Sequence, residues 1–481
     1  MFDLIVIGGG PAGVTAALRG RELGVEVALV ERGRLGGNCT NESCVPARVL
    51  AKAARLMREA EQLGDYGITE HRPEVDFAQL IGRTREIIGE VHAKKQILDH
   101  LRDSGVATYV GAGKARFVGP HTIELADGTQ LSAEKFIICA GARARSPGFP
   151  GGEHTLSYAD VWSLERLPRS LVVIGGAATG CQLASVFAAF GACVTLLDIA
   201  PRLLMAEDEM VSRGVAEAFA QRGIEVITGI GGITQLERHA GELELQFSTG
   251  QGPTAIAAEA VVLAIGTTGN IEELNLEAAG VQHERGAVVV DNTLRTSAAH
   301  IYAAGDITGR MPLVQSGSQQ GRIAAENAIL GVDRVASHQI VPHGGFTDPE
   351  YASVGLTEQA ARARYDCVVA EVPYADLDRA VIDGRPQGSC KLIVSRQSHK
   401  IVGAHVFGEQ AVEIVQIVAA CMAANMRVER LADLELAYPT YTAIVGLTAR
   451  QVVRELGMVP LAPSWRALGR LHIAEWERSA A

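Results

Sequence analysis

The 481-residue chain has no uninterrupted apolar stretch of the ~18 residues that a membrane-spanning helix needs. Its longest apolar segment, Ile414 to Met426, is too short, holds Gln416 and ends at Arg427. A basic excess is missing too. The 44 Lys and Arg against 55 Asp and Glu leave a formal charge of −11, the reverse of a general nucleic-acid binder's footprint. No charged leader with an apolar core precedes Asp3 and the first strand, so a cytoplasmic protein is expected. The eight cysteines then read as reduced thiols, buried or catalytic, and not as a disulfide scaffold. What stands in excess is glycine, 53 of 481 residues or about 11% against a usual ~7%. That predicts many tight turns and close backbone approaches. The length suggests about three domains.

The first thirty residues carry a pattern with a mechanism. The β-branched run Leu4-Ile5-Val6-Ile7 leads into Gly8-Gly9-Gly10-Pro11-Ala12-Gly13, a helical stretch runs to Gly24, and a second strand, Val25 to Val30, ends at Glu31. This is a G-x-G-x-x-G turn inside a βαβ unit with an acid 18 residues after the last glycine. The glycines let a pyrophosphate approach the helix N-terminus, and the acid accepts hydrogen bonds from a ribose. The unit returns 167 residues later: Leu171 to Ile174, then Gly175-Gly176-Ala177-Ala178-Thr179-Gly180, a helix to Gly191, and Val194 to Leu197 ending at Asp198. Such a repeat means two dinucleotide sites in one chain, and two sites suggest a relay from a nicotinamide to a flavin. Ala177 in place of the middle glycine is expected to hinder backbone approach slightly. Asp198 favours a free ribose 2′-hydroxyl, hence NADH, while nearby Arg202 keeps a 2′-phosphate open. Two further strands, Val262 to Ile265 before Gly266 and Ile301 to Ala304 before Gly305, enter glycine turns. Asp306 then suits a ribityl or ribose hydroxyl, or a plain helix cap.

Cys39 and Cys44 lie just after the first ribose-binding acid. In a regular helix, residues five apart have Cα atoms roughly 8–9 Å apart, beyond the ~7 Å limit for a bridge. A disulfide therefore needs an irregular turn, which Gly36-Gly37 and Pro46 allow. A helix over 47–61 would aim its positive end at the thiols and favour the thiolate. Taken alone, the pair reads equally as two unconnected packing thiols; beside a flavin fingerprint it reads as a redox dithiol. Cys139, Cys181, Cys193, Cys367, Cys390 and Cys421 lie in apolar strands or helices and are expected to be packing residues.

From Asp3 to about Gly457 the chain resembles the flavin-dependent pyridine nucleotide–disulfide oxidoreductases, the family of dihydrolipoamide dehydrogenase, glutathione reductase and mercuric ion reductase. Besides both fingerprints, the resemblance rests on Gly113-Lys114-Ala115-Arg116-Phe117, Ala140-Gly141-Ala142-Arg143, Gly305-Asp306 and Phe346-Thr347-Asp348-Pro349-Glu350. It implies an α/β fold with two Rossmann-like domains and an α+β dimerisation domain. The implied division is a FAD-binding domain over 1–148 and 271–339, an NAD(P)-binding domain over 149–270, a dimerisation domain over 340–457, and an extension over 458–481. It implies a homodimer whose active sites are completed by the partner subunit, and a Cys39–Cys44 redox disulfide. In that disulfide Cys44 contacts the flavin and Cys39 attacks substrate. Arg32, Gly37, Asn38, Gly113, Ala115, Ala140, Gly141 and Asp306 join the first fingerprint as FAD-binding residues; Thr179, Gln182 and Gly266 join the second cofactor site.

Four positions depart from the family pattern. The usual lysine four residues after the second cysteine is Arg48, and its usual glutamate partner is Gln182. Both change together, and a guanidinium needs no carboxylate to stay charged. The bulky gate over the nicotinamide pocket is Ala178, leaving that pocket more open. The fourth departure concerns the proton relay. Disulfide-reducing members carry a His-Pro motif with Glu five residues after the His; here Tyr438 and Ala443 hold those places, and no His lies between His405 and His472. Tyr438 and Tyr441 are the candidate replacements, a phenol being a poor base at pH 7 but a serviceable donor.

The extension carries Trp465, Leu468, Leu471 and Trp476 at helical spacing and no cysteine pair. The expected function is an NAD(P)H-dependent disulfide oxidoreductase acting on a small thiol or disulfide. Reduction of a soft metal ion held by the two thiols, a diaphorase or quinone reductase, and a dehydrogenase docked on a lipoyl-bearing complex are the alternatives.

Overall fold

The computed structural model describes residues 1–69, 73–239 and 241–457, so the 458–481 extension lies outside the described residues. The Leu4–Ile7 run is buried on both faces because it forms the centre of a parallel sheet. Phe2–Ile7 is flanked by Val27–Glu31, itself beside Ala107–Val110, and by Gln130–Ile138, with Ile301–Ala303 beyond it. Thr122–Glu124 and Arg116–Gly119 extend this sheet antiparallel.

A second parallel sheet places Ser170–Ile174 between Cys193–Asp198 and Ala260–Leu263, with Glu225–Thr228 and Leu156–Ser157 at its edges. The sequence repeat persists to the level of register. Leu4 pairs with Val27 and Ile7 with Val30; Leu171 pairs with Val194 and Ile174 with Leu197, each 167 residues on. The two crossover helices, Pro11–Glu22 and Ala178–Ala189, keep the same offset at both ends. An antiparallel three-stranded sheet, from Gly232–His239 to Gly252–Ala258, packs beside the second unit.

The third sheet is antiparallel, in the order His343–Gly345, Tyr351–Gly355, Ile401–Gly408, Gly388–Ser395, Cys367–Pro373. Helices Ala411–Ala423 and Ala443–Glu455 share its core. The long apolar segment is thus core, with Ile414, Val415 and Val418 buried. Among the described residues no helix is long and apolar enough to cross a membrane. Two expectations need correction. The helix foreseen over 47–61 starts at Cys44 and runs to Ala60, because Pro46 is tolerated in a first turn. Cys193 is exposed: it is the first residue of its strand, and burial begins with Val194.

The helix Val314–Leu330 crosses Pro11–Glu22 at Gly321, where a Cβ would stand 2.1 Å from the Ala12 carbonyl oxygen. Gly321→Ala must push the two helices apart at the cost of core packing. It is expected to lower stability by about 1–3 kcal/mol, read from the urea midpoint; an unchanged midpoint contradicts this packing.

Candidate functional site

Both glycine turns are built by the same contacts. Glu31 accepts the Gly9 N–H at 2.7 Å and the Gly33 N–H at 2.8 Å through its two carboxylate oxygens. Asp198 accepts the Gly176 N–H at 2.5 Å and the Ala200 N–H at 2.7 Å. A Cβ at Gly13 would lie 1.8 Å from the Gly8 carbonyl oxygen, and one at Gly180 1.7 Å from that of Gly175, so only glycine closes either turn. Neither helix has a side-chain cap at its N-cap, Gly10 or Ala177, so the first-turn N–H groups stay available to a ligand. Ala177 keeps the backbone of its turn the same as that of Gly10. Its φ of −83° and ψ of −173° match the −77° and −177° of Gly10, an extended conformation that any residue adopts.

A cleft of about 290 Å³ brings together Gly8, Glu31, Arg32, Gly113, Ala115 and Ala140, foreseen on separate segments. No motif marks Asn270, whose amide donates to the Ala140 carbonyl at 2.8 Å. Arg143 pairs with Glu272, and Lys114 with Glu273 at 2.7 Å, along the cleft's lining. Toward the thiols, Gly37 lies against Gly10, close enough that a Cβ would meet the Gly10 Cα at 2.9 Å. Burial pushes the Asp306 carboxyl up, the state of an acceptor short of donors. A bare helix N-terminus, a glycine-walled passage, a ribose-type acid and a buried acceptor fit a flavin adenine dinucleotide. In the second unit Ala177, Ala178 and Thr179 are exposed and Gly266 turns the chain at φ +90°, with no bulky gate at 178. Arg202 is committed elsewhere: it donates to the Leu204, Met205 and Glu207 carbonyls at 3.0–3.2 Å.

The two cysteines meet because the chain breaks between them. The single turn Gly37–Asn41 closes with both the Glu42 and Ser43 N–H groups on the Asn38 carbonyl, and a new helix starts at Cys44. The thiols are unbridged neighbours, each acting on the ionisation of the other. This contact lowers the Cys44 thiol to about 6, helped by the Ser43 hydroxyl and the Cys44 N–H and opposed by burial. The same contact, then burial, pushes the Cys39 thiol strongly up. The two directions make Cys44 the more acidic thiol of the pair and Cys39 the less acidic one. Asn38 donates to the Ala142 carbonyl at 2.6 Å and approaches the Tyr158 hydroxyl at 3.4 Å. The Trp162 indole donates to the Glu42 carbonyl at 2.6 Å. From the other side, Lys95 reaches the Thr40 hydroxyl at 3.0 Å and His92 the Asn41 side-chain amide oxygen at 2.8 Å. None of these four supporting residues lies in a motif.

Arg48 does not meet Gln182. Its guanidinium pairs with Glu350 at 3.1 Å and lies 4.2 Å above the Phe346 ring centroid. Gln182 accepts the Phe346 N–H at 3.2 Å and donates to Ala178 O at 2.9 Å. A carboxylate partner therefore exists, supplied by the segment that opens the third domain. The same segment anchors the thiol-bearing helix from below. Arg58, 5% exposed, pairs with Asp348 and with Glu409 at 2.5 Å, Arg55 pairs with Glu409, and Arg222 with Asp348 at 3.1 Å. Burial first, then the Arg385 and Arg222 charges, lower Arg58 to about 10 against the pull of Glu409, which leaves it charged at neutral pH.

Within one chain the candidate tyrosines stand apart from the thiols. Tyr438, 56% exposed, donates its hydroxyl to Asp378. Tyr441 is core, with its ring 5.7 Å from that of Tyr374 and under Arg379, and burial pushes its phenol up. Ala443 opens the helix Ala443–Glu455.

Two family models match: "Pyridine nucleotide-disulphide oxidoreductase" over residues 2–321, and its dimerisation domain over 341–455. The chain is 35% identical over 424 residues to a dihydrolipoyl dehydrogenase of Zymomonas mobilis, covering 86% of this chain and 90% of that protein. It is 31% identical over 452 residues to a mercuric reductase of Staphylococcus aureus, covering 93% and 82%. Among solved structures it superposes on the HOCl-induced flavoprotein disulfide reductase RclA of Escherichia coli with a TM-score of 0.82 and 27% identity, over 93% of this chain and 99% of that one.

The buried ion cluster sets one expectation. Glu409→Gln leaves two guanidinium groups short of a carboxylate, and stability should fall by about 3 kcal/mol in urea unfolding. A loss under ~0.5 kcal/mol, the size of an exposed pair, contradicts the cluster's role as an anchor.

Proposed function

The chain belongs to the FAD-dependent pyridine nucleotide–disulphide oxidoreductases, and within that family we propose that Cys39 and Cys44 reduce a small-molecule disulfide at the expense of NADH. The observation that carries this reading is the helix break that sets Cys44 at a helix N-terminus with a second free thiol, Cys39, in the turn before it. FAD, bound along the first glycine turn, supplies the two-electron link between the pyridine nucleotide and the thiols. Gly8 to Gly13 and Glu31 would hold its pyrophosphate and ribose, and Asp306 a hydroxyl nearer the ring. The dimerisation domain makes the enzyme a homodimer.

The chain's own residues perform the exchange half of the reaction. Cys39 passes its proton to the Cys44 thiolate and, as a thiolate, attacks one sulfur of the substrate. The substrate S–S bond breaks, a mixed disulfide forms on Cys39, and the first product leaves as a thiolate that takes the proton from Cys44. The Cys44 thiolate then attacks the Cys39 sulfur and expels the second product. The dithiol gives up two electrons; a monoanionic dithiol and a disulfide become an internal disulfide, one thiol and one thiolate. No histidine enters that account, which suits a chain whose Tyr438 is a donor to Asp378.

The coenzyme preference follows from the second turn. Asp198 places a negative charge where a 2′-phosphate would sit, and the three carbonyls occupy Arg202, the cation that might have offset it. NADH is therefore preferred. A second reading, reduction of a quinone without the thiols, separates in one experiment. Steady-state NADH and NADPH oxidation is followed with lipoamide, glutathione disulfide and a quinone, for the native enzyme and Cys39→Ser. The reading expects NADH to exceed NADPH in kcat/KM by about tenfold or more, and Cys39→Ser to lose about a hundredfold or more with a disulfide while retaining the quinone rate. Disulfide turnover that survives the substitution contradicts it.

A further inference from the structure

The exchange step demands that Cys39, whose proton the Cys44 thiolate and burial both hold in place, become an anion without a base beside it. Anion formation there needs a nearby positive charge, and the groups facing Cys39 supply one. They are Cys44 at the start of its helix, Asp306 after its glycine turn, and Lys95. Cys44 and Asp306 oppose a second negative charge; Lys95 favours it.

Lys95 is the last residue of the Phe77–Lys95 helix, where a cation is ordinarily no more than a complement to the helix dipole. Here its ammonium turns away and donates to Thr40, a residue with no exposed surface and the one directly after Cys39. His92, three residues earlier and on the same helix face, reaches Asn41 at 2.8 Å, and Asn41 in turn donates to the Gly37 carbonyl at 3.0 Å. One turn of this helix thus grips two consecutive residues of the thiol turn, from a direction that no sequence motif marks.

We propose that Lys95 is the cationic positioning residue of Cys39: it fixes the thiol turn through Thr40 and stabilises the Cys39 thiolate during exchange, in the same chain, where the family's partner-borne histidine is lacking. The inference rests on Cys39 being the attacking thiol. It differs from a tether in needing the charge, since a neutral donor would also bond Thr40.

The test uses the flavin-loaded protein carrying Cys44→Ser, in which Cys39 is the one thiol of the pair. Its alkylation by iodoacetamide is followed from pH 6 to 10 by peptide mass spectrometry, alone and combined with Lys95→Gln or Lys95→Arg. Removing a cation at this range is expected to slow Cys39 alkylation at pH 7.5 by roughly threefold to tenfold and to move the profile to higher pH. Lys95→Arg should restore the native profile, and 1 M salt should shrink the difference. Coincident profiles for Lys95 and Lys95→Gln overturn the inference while leaving Cys39 as the attacking thiol. A Cys39 that reacts no faster than buried Cys390 in every variant overturns that assignment, and the inference with it.

Discussion

A break in a helix is the constraint around which this molecule is arranged. The helix that ought to run from residue 37 onward stops after one turn and restarts at Cys44, so the two cysteines lie on separate helical turns. In a continuous helix they would sit roughly 8–9 Å apart, too far to share a proton. The restart also puts Cys44 at a helix N-terminus, where an anion is favoured. The neighbouring thiols act on each other in opposite directions, lowering Cys44 and raising Cys39.

The rest of the fold serves to keep that break in place. Each glycine turn binds its own acid through backbone N–H groups, which ties the acid to the turn. The thiol-bearing helix is pinned along its length by Arg48 to Glu350 near its start and by Arg55 and Arg58 to Glu409 further on. These partners belong to the third domain, so the position of Cys44 depends on residues from all three regions of the chain. A buried charge cluster is costly unless complete, which makes the anchor specific to one arrangement.

Much of this was legible in the sequence. The duplicated unit could be read down to its register, because strand, glycine turn, helix and acid form one hydrogen-bonded loop whose closure fixes every spacing. The need for an irregular turn between Cys39 and Cys44 followed from helix geometry alone. The partners of the site residues were not legible. Arg48 finds its carboxylate 302 residues away, Asn270 meets Ala140 at a separation of 130, and Lys95 meets Thr40 at 55. No local period encodes such contacts; they arise where separately formed elements pack. The middle position of the turn is extended in both units, so the backbone itself makes no demand for glycine there.

The central claim is that Cys44 carries the charge of the reduced pair at neutral pH. Its most direct measurement is a pH titration of the long-wavelength absorbance that a thiolate against the flavin produces, on the anaerobically reduced native enzyme. The account predicts a band present at pH 7 and lost as pH falls through about 6. A midpoint near ~8.5, the value of an unperturbed thiol, or a band that survives Cys44→Ser, would contradict it.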